Sequence, residues 1–141
     1  MNEQPPNASP EEIGEILGQY RVVAVVGLSA DPGRPSYQVA QYLKEHGYRI
    51  VPVNPGCTEV LGEKCYPSLK DIPFPVEVVD IFRKVEAIPA VVDEAMAVGA
   101  KVVWLQLGLV EPQADRKAWK AGLQVVMDRC MKIEHQQLLG D

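Results

Sequence analysis

The 141-residue chain reads as an α/β protein, a doubly wound sheet of about five parallel strands with helices on both faces. Three observations predict this. Short apolar runs recur without polar alternation, Val22-Val23-Ala24-Val25-Val26 being the clearest, as in strands covered by helices on both faces. Segments with apolar residues at helical spacing separate most of these runs, the order that right-handed crossovers turn into an open parallel sheet. Glycine or proline punctuates nearly every change of pattern. At 15.5 kDa the length suits one domain, enough to bury roughly two thirds of the surface its unfolded chain exposes.

Residues 1–8 are polar and proline-rich and are expected as a flexible tail, leaving 9–141 as a single domain. Ser9-Pro10-Glu11-Glu12 then opens a helix to about Leu17: Ser9 is the N-cap, Pro10 suits the first turn, and Glu12 stands where a capping box reaches back. The first strand ends at Gly27. A helix over 36–46 presents Val39, Ala40 and Leu43 on one face and stops at Gly47. A second strand over 49–53 ends in the turn signal Asn54-Pro55-Gly56. Residues 57–76 read as irregular, with a short turn at 68–71, before a third strand over 76–82. Pro89 introduces a helix over 90–98, a fourth strand covers 101–105, Glu111-Pro112 opens a helix to about Ala121, a fifth strand covers 123–127, and a terminal helix covers 130–139.

In such sheets ligands bind outside the carboxyl ends of the strands, where strand order reverses. The exits at 27–36, 53–55, 82–85 and 106–108 are therefore the places to look. Gly27-Leu28-Ser29-Ala30-Asp31-Pro32-Gly33-Arg34-Pro35-Ser36 is not the dinucleotide fingerprint G-x-G-x-x-G, because Ser29 replaces its second glycine and the loop is longer. It nevertheless holds anion-binding parts. Backbone N–H groups, the Ser29 hydroxyl, the Arg34 guanidinium and a helix N-terminus near Ser36 all favour phosphate, and Gly27 removes a Cβ where a ligand would approach.

The second exit, Val53-Asn54-Pro55, lacks the carboxylate that an NAD site uses for the adenosine ribose. A neutral exit suits a ribose that bears a phosphate, as in NADP or coenzyme A. NADP chemistry normally needs a second domain for which this length leaves no room. At the third exit, Phe82 and Val85 are placed to sandwich an adenine, and Arg83 or Lys84 to face a phosphate. At the fourth, Gln106 can donate to and accept from the amides of a pantetheine arm, Gly108 permits close approach, and Trp104 is assigned to the core.

Read together, Val25-Val26-Gly27-Leu28-Ser29, Arg34-Pro35-Ser36-Tyr37, Pro52-Val53-Asn54-Pro55, Leu61-Gly62-Glu63, Val79-Asp80-Ile81-Phe82-Arg83, Trp104-Leu105-Gln106-Leu107-Gly108 and Val126-Met127-Asp128-Arg129-Cys130 resemble the small stand-alone CoA-binding proteins of bacteria and archaea. These are similar to the N-terminal domain of the succinyl-CoA synthetase α subunit, with a Rossmann-like fold. The resemblance covers roughly residues 10–138. It implies coenzyme A or an acyl-CoA held along the strand ends, with Gly27, Ser29, Arg34, Ser36 and Tyr37 around the phosphates and Asn54, Pro55, Phe82, Arg83 and Val85 around the adenosine.

No residues for ligase chemistry are legible: His135 falls in a helix pattern, and no G-x-S-x-G elbow or paired carboxylates occur, so a non-catalytic module is expected. Cys130 keeps a redox alternative open, as a thiol at a helix start beside Arg129 that exchanges with the CoA thiol. Cys57, Cys65 and Cys130 lack zinc-type spacing and are expected reduced, while His46 and His135 read as surface or capping groups. A net charge of −5 with scattered Lys and Arg argues against nucleic acid and membrane surfaces, no apolar run has the length of a membrane helix, and a cytoplasmic location is expected. A protein partner is compatible with all of this.

Overall fold

Hydrogen bonding along the parallel strands produces one five-stranded sheet in the computed structural model, which describes residues 7–139. The strands are β1 (Val22–Val26), β2 (Arg49–Val53), β5 (Val78–Ile81), β6 (Val102–Leu105) and β7 (Gln124–Val126), in the spatial order β2-β1-β5-β6-β7. All pairs in this sheet are parallel, with Val25 opposite Pro52 on one side and Asp80 on the other. This is the Rossmann-like α/β architecture expected.

Side-chain alternation divides the core in two. Val23, Val25, Val78, Val102, Trp104 and Val126 face one layer, made by α1 (Pro10–Gln19), α2 (Pro35–Glu45) and α5 (Met131–Leu138). Ala24, Val26, Val79, Ile81, Val103 and Leu105 face the other, made by α3 (Ile88–Ala97) and α4 (Pro112–Lys120). Because successive strand residues point to opposite faces, a strand between two helical layers must be apolar throughout. Every residue of β5 and β6 is buried, including the one acid, Asp80.

Local chemistry sets the helix ends. Ser9 forms the expected capping box with Glu12, and Glu111 caps α4 by accepting from the Ala114 N–H. Pro35 and Pro89 stand in first turns, where a missing N–H costs nothing. Strand and helix bounds differ from the expected ones by one or two residues, as fraying ends do.

The segment expected to be irregular holds a small antiparallel hairpin, β3 (Glu59–Val60) and β4 (Glu63–Lys64), followed by a 3-10 turn at Leu69–Asp71. Its tip, Leu61-Gly62, has positive φ at both residues (55° and 75°), the two-residue turn whose twist suits a hairpin. Lys44 of α2 steadies it by donating to the Leu61 carbonyl and pairing with Glu63 at 3.0 Å. Strands of two residues are too short for periodicity to reveal.

Of the tail expected at 1–8, residues 1–6 lie outside the described residues. Asn7 and Ala8 are tied down: the Asn7 amide donates to Met127 O (2.9 Å) and accepts from Met127 N (3.0 Å), and Ala8 packs on the core. The two histidines, expected as surface or capping groups, meet, and His46 caps the C-terminus of α2. His135 is 8% exposed, with Nδ1 2.8 Å from the Tyr42 hydroxyl, and its ring lies 5.3 Å from that of His46, which stacks on Tyr42. Burial first, then the nearby His46 and Arg21, lowers the His135 pKa.

Candidate functional site

Strand order reverses between β1 and β5: from β1 the chain crosses to β2 on one side, and from β5 it continues through β6 and β7 on the other. The carboxyl ends there are Gly27 and Phe82, and a cleft of about 690 Å³ opens over them. Gly27 (φ +87°) donates to Val53 O at 2.8 Å, and a Cβ on it would lie 2.3 Å from Phe82 O. The glycine is thus required by the neighbouring strand end itself, rather than only by an approaching ligand.

The loop after Gly27 is shaped by its own hydroxyls. Ser29 N–H donates to Ser36 Oγ (3.0 Å), Asp31 N–H to Ser29 Oγ (3.0 Å), and Gly33 N–H to Asp31 Oδ1 (2.9 Å). Each serine accepts through its oxygen, and this leaves a hydroxyl proton to donate. Arg34 is the N-cap residue of α2 yet makes no side-chain cap, so the first N–H groups of that helix carry no side-chain acceptor from it, and its first turn holds no acid. Cys130 likewise precedes α5 without capping it, and Met131 N–H donates to Gln106 Oε1 (3.4 Å). Two helix N-termini therefore border the cleft, that of α2 through Arg34, Pro35 and Ser36 and that of α5 through Cys130.

The charge of the lining is opposite to that of the chain. Arg34, Arg83 and Lys84 line the cleft and no Asp or Glu does, whereas the whole protein carries −5. At physiological ionic strength screening acts over about 8 Å, so an anion in the cleft feels these lining cations more than acids farther off, while Glu86 borders the adjoining cavity. Arg83 also borders a second cavity of about 440 Å³ with Asn54, and a third of about 220 Å³ with Val53 and Pro55. Asn54 braces the rim: its Nδ2 donates to Leu28 O (3.0 Å) and its Oδ1 accepts from Gly56 N (3.3 Å).

Of the residues expected at the site, Gly27, Ser29, Arg34, Ser36, Phe82, Arg83, Gln106 and Cys130 share the main cleft. Leu28, Tyr37, Val85 and Gly108 do not line it. Leu28 is fully buried in the core, which leaves only its backbone to the loop, and Tyr37 packs on that core from α2. Val85 begins the 3-10 turn Val85–Ala87 and is 42% exposed. Gly108 serves a turn: φ is +88°, its N–H donates to Asp128 Oδ1 (2.6 Å), and Leu107 and Leu109 on either side form the wall. Trp104 is buried as expected, with Nε1 donating to Arg129 O.

Sequence reasoning missed Val39, Leu107, Leu109 and Ile133, the apolar part of the wall. Ile133 stands three residues after Cys130 on α5, a spacing that puts both on one helix face and was available to find it. Asp80, one position before Ile81 in β5, was also passed over. Both its carboxyl oxygens are buried without a hydrogen-bond partner, and burial drives its pKa well above the ordinary carboxylate value, which favours the neutral acid. Among the described residues no group of three or more His, Cys, Asp or Glu side chains could hold a metal, and no helix is long and apolar enough to cross a membrane.

An open parallel sheet with a cation-lined cleft at its switch point defines a Rossmann-like α/β protein. Within that class, the model of the CoA binding domain matches residues 21–136, and the chain belongs to this family. It is 43% identical over 129 residues to the protein YneT of Bacillus subtilis (strain 168), covering 92% of this chain and 96% of that one. A solved structure of a protein from Pyrococcus horikoshii OT3 superposes with a TM-score of 0.92 at 48% identity, covering 99% of this chain and 100% of the other. The α subunit of the ADP-forming acetate–CoA ligase I of Pyrococcus furiosus is 34% identical over 128 residues, covering 79% of this chain but 28% of that subunit.

Proposed function

We propose that this protein binds coenzyme A or an acyl-CoA over the carboxyl ends of β1, β5 and β6, as a module without catalysis of its own. The observation that carries the reading is the three-cation, acid-free lining of a cleft in an otherwise acidic protein. Volume supports it, since about 690 Å³ falls within the range of small-molecule sites. So does chemistry: a phosphorylated nucleotide needs cations and N–H or O–H donors, and its apolar and amide parts need a wall such as Val39, Leu107, Leu109 and Ile133 with Gln106 among them. Membership of the CoA binding domain family and likeness to a CoA ligase subunit point to the same ligand.

In this reading Gly27, Ser29, Arg34 and Ser36 hold phosphates together with the N-terminus of α2, and Lys84, which also lines the cleft, joins them. Arg83, common to the three cavities, stands between the phosphate region and the adenosine region at Asn54, Pro55 and Phe82. Gln106 and the apolar wall take the thiol-bearing arm. Cys130 in that wall favours a second reading, attack of its thiolate on CoA disulfide to form a Cys130–CoA mixed disulfide with one CoA thiol leaving, which an adduct on Cys130 after incubation with CoA disulfide would support and its absence would remove.

Thermal shift with CoA, acetyl-CoA, NADP and ATP tests the assignment. A ligand at a hundred times its dissociation constant stabilises the fold by about 2.7 kcal/mol, a rise of several degrees in a domain of this size. A rise with CoA or acetyl-CoA and none with NADP is expected; a flat response to both CoA forms overturns the reading.

A further inference from the structure

Two of the three thiols converge outside the cleft, at the neck between β2 and the β3–β4 hairpin. Cys57 N–H donates to Asn54 O at 3.3 Å, and Cys65 Sγ–H donates to the same carbonyl oxygen at 3.5 Å. The hairpin ladder continues past Glu59–Lys64 through Cys65 N–H to Thr58 O (2.9 Å), which brings Cys65 diagonally across from Cys57. Cys57 Sγ–H donates to Glu59 O (3.4 Å) at the start of the same hairpin, and all three cysteines are free thiols. Both residues flank a rigid point, because Asn54 is also held by Tyr66 O through its N–H and by Leu28 O through its amide.

We propose that Cys57 and Cys65 form a reversible dithiol–disulfide couple, a redox-modification site on the neck of the hairpin. A small disulfide R–S–S–R is the oxidant. Cys57 is half-buried and Cys65 only 5% exposed, which fixes the order of events. The Cys57 thiolate attacks one sulfur of R–S–S–R, forming Cys57–S–S–R and releasing one RS⁻, which takes up the proton Cys57 gave to solvent. The Cys65 sulfur then attacks Cys57 Sγ, the bond to R breaks, and the second RS⁻ leaves with the Cys65 proton. Two protein thiols lose two electrons and two protons, and the oxidant becomes two RSH. Burial, then contact with Cys57, pushes the Cys65 thiol up to about 11, so it rests protonated and acts as the resolving partner.

The experiment takes the full chain, oxidised glutathione as the probe, acid quenching, alkylation and digestion without reductant, with mass spectrometric mapping. The expected product is a Cys57–Cys65 cross-linked peptide pair lighter by two hydrogens, reversed by dithiothreitol. Cys65→Ser should arrest the reaction as a glutathione adduct on Cys57, and Cys57→Ser should leave Cys65 unmodified. Persistence of both thiols, a lasting adduct on Cys57 in the unsubstituted protein, or pairing of either residue with Cys130 overturns the proposal. Because the probe is glutathione, the result is independent of what the cleft binds.

Discussion

Gly27 and Phe82 meet backbone to backbone: a Cβ on the glycine would come within 2.3 Å of the Phe82 carbonyl oxygen and 2.9 Å of Arg83 Cδ. Two strand ends are thereby drawn together at the place where the sheet reverses order, and the side chains that follow them, Ser29 and Arg83, end up in one cleft. Residue size at a single position thus links sheet packing to the site.

Gly27→Ala should therefore destabilise the fold by about 2–4 kcal/mol, the left-handed backbone alone costing roughly 1–2 and displacement of the β5 end the rest. Gly122→Ala is the control, since Gly122 has φ +95° with nothing within 4 Å of its Cβ position. Urea unfolding should show a midpoint loss at least twice as large for Gly27→Ala; equal losses would mean that the contact with Phe82 has no energetic weight.

Arg34→Ala and Arg83→Ala should each weaken CoA binding by 10- to 100-fold, the loss of a charge-assisted hydrogen bond being worth about 1.5–3 kcal/mol. Arg34 is exposed, so the unliganded variant should keep its stability within the range of ordinary surface substitutions, about 0.5 kcal/mol. Calorimetric titration at two salt concentrations checks this, and affinity should fall as salt rises. Unchanged affinity in both variants would mean that the phosphates lie elsewhere.

Asp115 on α4 has its Oδ1 buried without a partner, and burial raises its pKa to about 7 against the lowering effect of the Glu111 N–H. A carboxyl raised on folding binds its proton more tightly in the native than in the unfolded state, so its contribution is full below about pH 4 and is lost as pH rises towards 7. Asp115→Asn removes that loss while leaving an oxygen to accept from Glu111 N–H. The variant should gain stability relative to the original protein at pH 8 and show little gain at pH 4.5, by urea midpoints; a gain independent of pH would remove the ionisation argument.

Asn7→Ala should cost about 1–3 kcal/mol, because the amide satisfies both backbone groups of Met127, just beyond the edge strand β7. Hydrogen exchange should show the Met127 amide losing protection first. Retained protection would assign the stability of that edge to other contacts.

Much of this molecule is local and therefore readable in order along the chain. Ser9 with Glu12 announces a capping box, Gly47 and Gly99 end helices, and an unbroken apolar run such as that of β1 can sit only between two covered faces. The same reading placed Ser29, Arg34, Ser36, Phe82, Arg83 and Gln106 at strand exits, because exits follow directly from where strands stop. Leu28 and Gly108 show its limit. Both occupy exits in sequence, but a core packing position and a turn with positive φ engage them, and neither demand is visible without neighbours from Asn54 or Asp128.

By itself, then, the chain of residues determined the fold class, the succession of the five main-sheet strands and their helices and the set of strand ends available to a ligand, since these rest on interactions within a few residues. Tertiary structure alone decided the strand order that puts β1 beside β5, the place of Arg83 among three cavities, the pairing of Asn7 with Met127 and the meeting of Cys57 with Cys65 at one carbonyl. The physical reason is that sheet order and side-chain convergence are set by packing two hydrophobic layers against a common sheet, a condition on the whole chain that no local segment carries.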